Sequence, residues 1–121
     1  MSFESLEGKK YVSVTTYRSS GVKVPTPVWF VLKDGRVYVW TETASGKVKR
    51  LRHNPKLALA PCKMNGTPLG PYVDGVASIS QDDSSTDLRQ AFKSKYGLML
   101  ALSRTFIRRN EKQVFLEITP A

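Results

Sequence analysis

Short stretches of this chain alternate apolar and polar residues, and only a few switch to the wider spacing of a helix. Tyr11 to Tyr17, YVSVTTY, alternates as a half-buried strand does. Ser19-Ser20-Gly21 then turns the chain, and Val22 to Leu32 returns as a second strand. Pro25 and Pro27 interrupt that run; proline cannot donate to a ladder, so the strand belongs at an edge or a bulge. Asp34-Gly35 closes a hairpin into Val37 to Thr41. Lys56 to Lys63 is apolar enough for a buried strand, Asn65-Gly66 marks a turn, and Tyr72 to Ser80 continues as strand, with Gly75 as the expected bulge. Val114 to Ile118 is the last strand.

Helical spacing appears in three places. After the third strand, Val48 and Leu51 fall on one face behind Thr43 or Ser45 as N-cap, and Pro55 ends the run. Ser84 to Asp87 form a second N-cap cluster, followed by Leu88, Ala91 and Phe92 through to Tyr96, where Gly97 breaks the pattern. Leu98 to Arg109 reads as another helix, apolar first and basic last. Phe3 and Leu6 mark a short amphipathic turn expected on the domain edge. About six strands joined by tight hairpins imply antiparallel pairing, and so many in 121 residues favour a closed barrel. The expectation is a mainly β fold, one domain over 1–121, with helices outside the barrel.

The junction between third strand and first helix changes the picture from fold to function. Thr41, Thr43 and Ser45 supply hydroxyls, Gly46 lets a ligand approach the backbone, and Lys47, Lys49, Arg50 and Arg52 follow with no acid among them. The N–H groups of a first helical turn attract anions, so cations here oppose the helix unless something else brings negative charge. A phosphate group is the expected partner. A solvated basic face is the plainer alternative, and the spacing is not that of a P-loop.

A net charge of +9, from 19 basic and 10 acidic residues, points the same way, toward nucleic acid, a membrane surface or an acidic small molecule. The lone Cys62 forms no internal disulfide and reads as a small core residue. With no signal-peptide run and no stretch long enough to span a bilayer, the expected place is the cytoplasm, without membrane insertion. His53 is the only histidine and sits where a helix C-terminus accounts for it. No Cys/His cluster has metal-ligand spacing, and no triad can be assembled. Trp40, Tyr72 and Tyr96 are read as core residues ahead of pocket residues.

The segment VPTPVWFVLKDGRVYVWTETASGKVKRLRHNPKLALAPC, with GPYVDGVA after it and LEITP near the end, resembles the split β-barrel flavin and deazaflavin enzymes related to pyridoxamine 5'-phosphate oxidase. Within them it is most similar to the small probable F420-dependent enzymes. The resemblance implies a six-stranded antiparallel split β-barrel, FMN-binding-like, working as a homodimer with cofactor at the subunit interface. Residue by residue, the family's Y-T and S-R-K pattern falls on Trp40, Thr41, Ser45, Gly46 and Lys47. That implies a phosphate held by Lys47 with Ser45 and Thr41, and with Arg50 by helical proximity. Thr26, Pro27, Val28 and Trp29 match the strand that borders the cofactor ring.

Where the oxidases carry an arginine beside the lysine this chain has Gly46, and Pro25 lies near the place of the arginine that opens their ring-bordering strand. The C-terminal tryptophan and arginine segment of the oxidases has no counterpart. Pyridoxamine phosphate oxidation is therefore not expected. Coenzyme F420 is the expected cofactor, FMN the alternative, and the expected reaction is hydride transfer to or from a small organic substrate. Such a cofactor carries the reactive atom itself, which removes the need for an obvious base. A nucleic-acid-binding barrel and a flavin carrier or sensor without turnover are the competing functions.

Overall fold

The computed structural model describes residues 2–97 and 112–121. Seven strands form one antiparallel sheet: β1 (Tyr11–Tyr17), β2 (Lys23–Val28), β3 (Val31–Lys33), β4 (Arg36–Glu42), β5 (Lys56–Cys62), β6 (Val73–Ile79) and β7 (Gln113–Pro120). Their spatial order is β2-β1-β5-β6-β7-β4-β3. Helix α1 (Gly46–His53) follows β4, and α2 (Thr86–Tyr96) follows β6.

The sheet has one strand more than the sequence suggested, because the Val22 to Leu32 run is cut at Trp29-Phe30. Its first part pairs with β1 and its second with β4, at opposite edges of the sheet. Three residue steps from Val28 to Val31 span at most about 11 Å, so the two edges must come close at that end. This short link curls the sheet into a split barrel. Pro25 and Pro27 sit on the edge strand, as their missing N–H groups require.

Alternation fills the barrel. Val12, Val14, Val37, Val39, Leu57 and Leu59 point inward and are buried with Leu116 and Ile118. α1 adds Val48 and Leu51 to the same core. Phe3 and Leu6 also enter it, each 2 % exposed, rather than resting on the domain edge; a short turn's spacing cannot reveal that the barrel end needs a cover. The outer face of β3, β4 and β7 carries Val31, Tyr38, Trp40 and Phe115, covered by Phe92 and Tyr96 of α2.

Gly75 is not a bulge: pairing runs through it on both sides, opposite Leu57 and Pro120. Its role is close approach. A Cβ there would meet Ile118 Cγ2 at 2.9 Å, Thr119 O at 3.1 Å and Leu57 Cδ1 at 3.2 Å. Asp34 and Gly35, at φ 55° and 75°, make the expected tight hairpin. The helix expected over Leu98 to Arg109 lies outside the described residues.

Candidate functional site

β4 delivers Thr41, buried, to the edge of the barrel, and the chain then turns into α1. Ser45 N–H donates to Glu42 O at 3.1 Å, closing the turn. Ser45 is the N-cap, with extended backbone, and its Oγ accepts from Val48 N–H at 3.4 Å. The two candidates for this cap are separated by Thr43 N–H, which reaches back to Lys112 O at 2.9 Å. Of the leading N–H groups, those of Gly46 and Lys47 have no partner among the described residues. Both belong to the turn that carries the positive end of the helix dipole.

The side chains around these open donors are cationic. Lys47 is half-buried, and burial lowers its pKa, helped by the neighbouring Arg50 guanidinium and opposed by the Glu42 carboxylate. Arg50 Nε donates to Thr16 Oγ1 at 2.6 Å, and Thr41 Oγ1 to Ser45 Oγ at 3.5 Å. The structure thus brings together Thr41, Ser45, Gly46, Lys47 and Arg50, and adds Thr16, which was missed. The signal was there: Thr16 shares the inward phase of Val12 and Val14, and a hydroxyl on a buried face needs a partner.

The other expected site residues fall elsewhere. Thr26 lies opposite Val14 on β2, half-buried and facing the same way as Thr16. Pro27 faces out opposite Ser13, and Val28 packs on the core. Trp29 stacks on Tyr96 at 4.6 Å, and Trp40 packs between Phe92 and Phe115. Trp40 Nε1 donates to Asp83 Oδ2 at 3.0 Å. Both tryptophans therefore belong to the layer under α2, on the other face from α1. Tyr96 is buried in that layer too, and Tyr72 Oη lies 2.9 Å from Ser13 Oγ on the outer face.

Edge strand β2 has an unusual hydrogen-bond character. Pro27 cannot exchange bonds with Ser13, nor Pro25 with Thr15, so the bonded pairs are those of Val24, Thr26 and Val28. The carbonyls of Pro25 and Pro27 consequently point away from β1, beside ring nitrogens that carry no hydrogen. This stretch of edge accepts hydrogen bonds and donates none.

At the far end of α1 a cavity of about 810 Å³ is lined by Arg18, His53 and Lys56, with Asp74 opposing them. Exposed Lys49 and Arg52 lie between that cavity and the first turn. His53 is exposed at the helix end and faces no nucleophile or acid in any hydrogen bond of the described residues. Cys62 is buried, which raises its pKa. Among the described residues no cluster of His, Cys, Asp or Glu is arranged for a metal, and no helix is long and apolar enough to cross a membrane.

A family model described as pyridoxamine 5'-phosphate oxidase matches residues 3–121. No curated protein matches the chain. Several solved structures share the fold. An F420 reductase superposes with a TM-score of 0.67 at 17 % identity, covering 97 % of this chain and 90 % of its own. A pyridoxamine 5'-phosphate oxidase-related, FMN binding protein from Nostoc punctiforme gives 0.60 at 17 % identity, covering 92 % and 70 %. The heme storage protein HutZ from Vibrio cholerae gives 0.68 at 14 % identity, covering 98 % and 86 %.

Proposed function

The chain belongs to the pyridoxamine 5'-phosphate oxidase family, and from that premise we propose that it is an oxidoreductase that binds coenzyme F420 and transfers a hydride to or from a small organic substrate. The observation that carries the proposal is the first turn of α1, where two N–H groups with no partner among the described residues stand beside a half-buried lysine and an arginine, with no acid in the turn. A phosphate group satisfies all of these at once. It accepts from the N–H groups and hydroxyls, and it reverses the loss of solvation that depresses the Lys47 amine.

The rest of the chain divides the work of binding. Lys47, Ser45, Thr41 and Arg50 hold the phosphate, with Gly46 leaving room for the Arg50 guanidinium. The carbonyls of Pro25 and Pro27 suit the N–H edge of a pyrimidine-type ring, so Thr26, Pro27 and Val28 border the cofactor through the outward edge that those two prolines supply. Trp29 and Trp40 act behind that surface, by fixing the link at Trp29-Phe30 and the end of β4. When bound, the cofactor supplies the hydride chemistry, and the protein contributes orientation and electrostatics.

Two features favour F420 over FMN. Lys49 and Arg52 continue the cations along α1, about 12 Å at 1.5 Å per residue, toward a cavity that Arg18 and Lys56 line. That length suits an acidic tail beyond the phosphate. A nucleic-acid site is less well supported, since Trp29, Trp40, Phe92 and Phe115 are packed in the layer with Tyr96 and offer no row of exposed rings.

The same reading makes the protein a homodimer. Met64, Leu69 and Tyr72, between β5 and β6, and Val76 on β6 are exposed large apolar residues at 72 %, 51 %, 42 % and 38 %. A second copy of the chain would cover them. Fluorescence titration of the purified protein with F420 and with FMN tests the cofactor. Tighter binding of F420 supports the proposal, tighter binding of FMN replaces the cofactor, and failure of both ends it.

A further inference from the structure

Thr16 is wholly buried at the inner face of β1, where its neighbours in phase are Val12 and Val14. A hydroxyl in that position must be satisfied from inside the protein, and it accepts from Arg50 Nε at 2.6 Å. An arginine on an exposed helix ordinarily leaves its guanidinium free in water, at considerable rotamer entropy. Here it is pinned. Helical side chains lean toward the N-terminus, so the pinned guanidinium lies back over Gly46, four residues earlier. The contact is close enough that a Cβ on Gly46 would stand 2.8 Å from Arg50 Nη1.

The arrangement costs electrostatic energy in the absence of a ligand. Arg50 is held near Lys47, whose charged form it disfavours, and at the end of the helix where the dipole repels cations. The hydrogen bond satisfies Thr16, yet it sets two cations side by side at the positive end of the helix. We propose that Thr16 is a positioning residue for anion binding: its buried hydroxyl holds the Arg50 guanidinium over Gly46, so that Arg50 and Lys47 grip one phosphate group together. Gly46 is the second half of the device, since it leaves the space that the guanidinium fills. This rests on the phosphate reading of the α1 turn given above.

The test compares coenzyme F420 with its phosphate-free deazaflavin core, titrated by fluorescence into the whole chain. Thr16→Val keeps the volume and removes the acceptor. It weakens F420 by about tenfold while leaving the core within about twofold, and Thr16→Ser restores the parent affinity. Gly46→Ala gives the same phosphate-dependent loss without a lower melting temperature, because alanine favours the helix and touches no core residue. Parent-like F420 binding by Thr16→Val overturns the proposal, as does an equal loss for both ligands, which would make Thr16 merely structural. Lys47→Ala separates the two levels. If it weakens F420 while Thr16→Val does not, only the positioning role fails; if it too binds as the parent does, the phosphate reading fails with it.

Discussion

The break between β2 and β3 depends on one phenol oxygen, and its removal by Tyr96→Phe isolates that dependence. Phe30 is fully buried at the point where the chain passes from one sheet edge to the other, so no neighbouring strand satisfies its backbone. Tyr96 Oη accepts from Phe30 N–H at 2.8 Å and lies 2.7 Å from Lys10 O and 2.9 Å from Phe30 O. Lys95 Nζ also donates to Phe30 O at 2.8 Å, so the carbonyl keeps a partner in the variant. The N–H does not. Leaving a buried donor unmade costs about 1–3 kcal/mol, while the ring and its stack on Trp29 at 4.6 Å remain. The expected loss is therefore about 2 kcal/mol, which for a chain of this size corresponds to roughly 6–10 °C in melting temperature. Urea unfolding at fixed protein concentration reads it as a lower midpoint with an unchanged slope. An unchanged midpoint would refute the argument that Tyr96 substitutes for a missing strand partner.

Three further outcomes follow from the same structure. Gly75→Ala forces a methyl against Ile118, Thr119 and Leu57 and destabilises by about 1–3 kcal/mol, measured by thermal unfolding. Ser45→Ala removes the cap on Val48 N–H, costing about 1 kcal/mol of stability and weakening phosphate-bearing ligands in titration. Burial lowers the Lys95 pKa to about 8 from its ordinary 10.5, so the unfolded chain binds more protons between those values. The penalty is full below pH 8 and fades toward 10.5. Lys95→Met loses the donor to Phe30 O, and relative to the parent its stability in thermal unfolding should fall further as pH rises through this window, by under about 1 kcal/mol because the side chain is exposed.

Local signals in the sequence carried much of the fold. The alternation of Tyr11–Tyr17 gave that strand its observed ends and Asp34-Gly35 its turn, while the caps of the two described helices, Ser45 and Ser85, were each one candidate among others. What local signals could not carry was partnership at long range. Trp29 and Phe30 look like the middle of a strand, and Tyr96 and Lys95, more than sixty residues later, satisfy the backbone at the break. Phe3 and Leu6 looked peripheral for the same reason, since the barrel end that they fill is built from distant strands.

For the site, the run of cations after Ser45 with no acid among them was legible, and the resemblance gave each residue a role. Thr16 was legible only as an inward hydroxyl in need of a partner, because its contact with Arg50 depends on the meeting of β1 and α1. The two tryptophans differ from Thr16 in where they point. Trp29 and Trp40 stand next in sequence to ring-bordering and phosphate-binding positions, yet their side chains turn to the face under α2.

The phosphate at the first turn of α1 is the claim on which the functional account stands. Calorimetric titration of F420 into the parent protein and into Lys47→Ala tests it directly. A charge-assisted hydrogen bond worth about 1.5–3 kcal/mol predicts an affinity lower by roughly ten- to a hundredfold in the variant, with an unchanged melting temperature. Equal affinity in the two proteins would contradict the account.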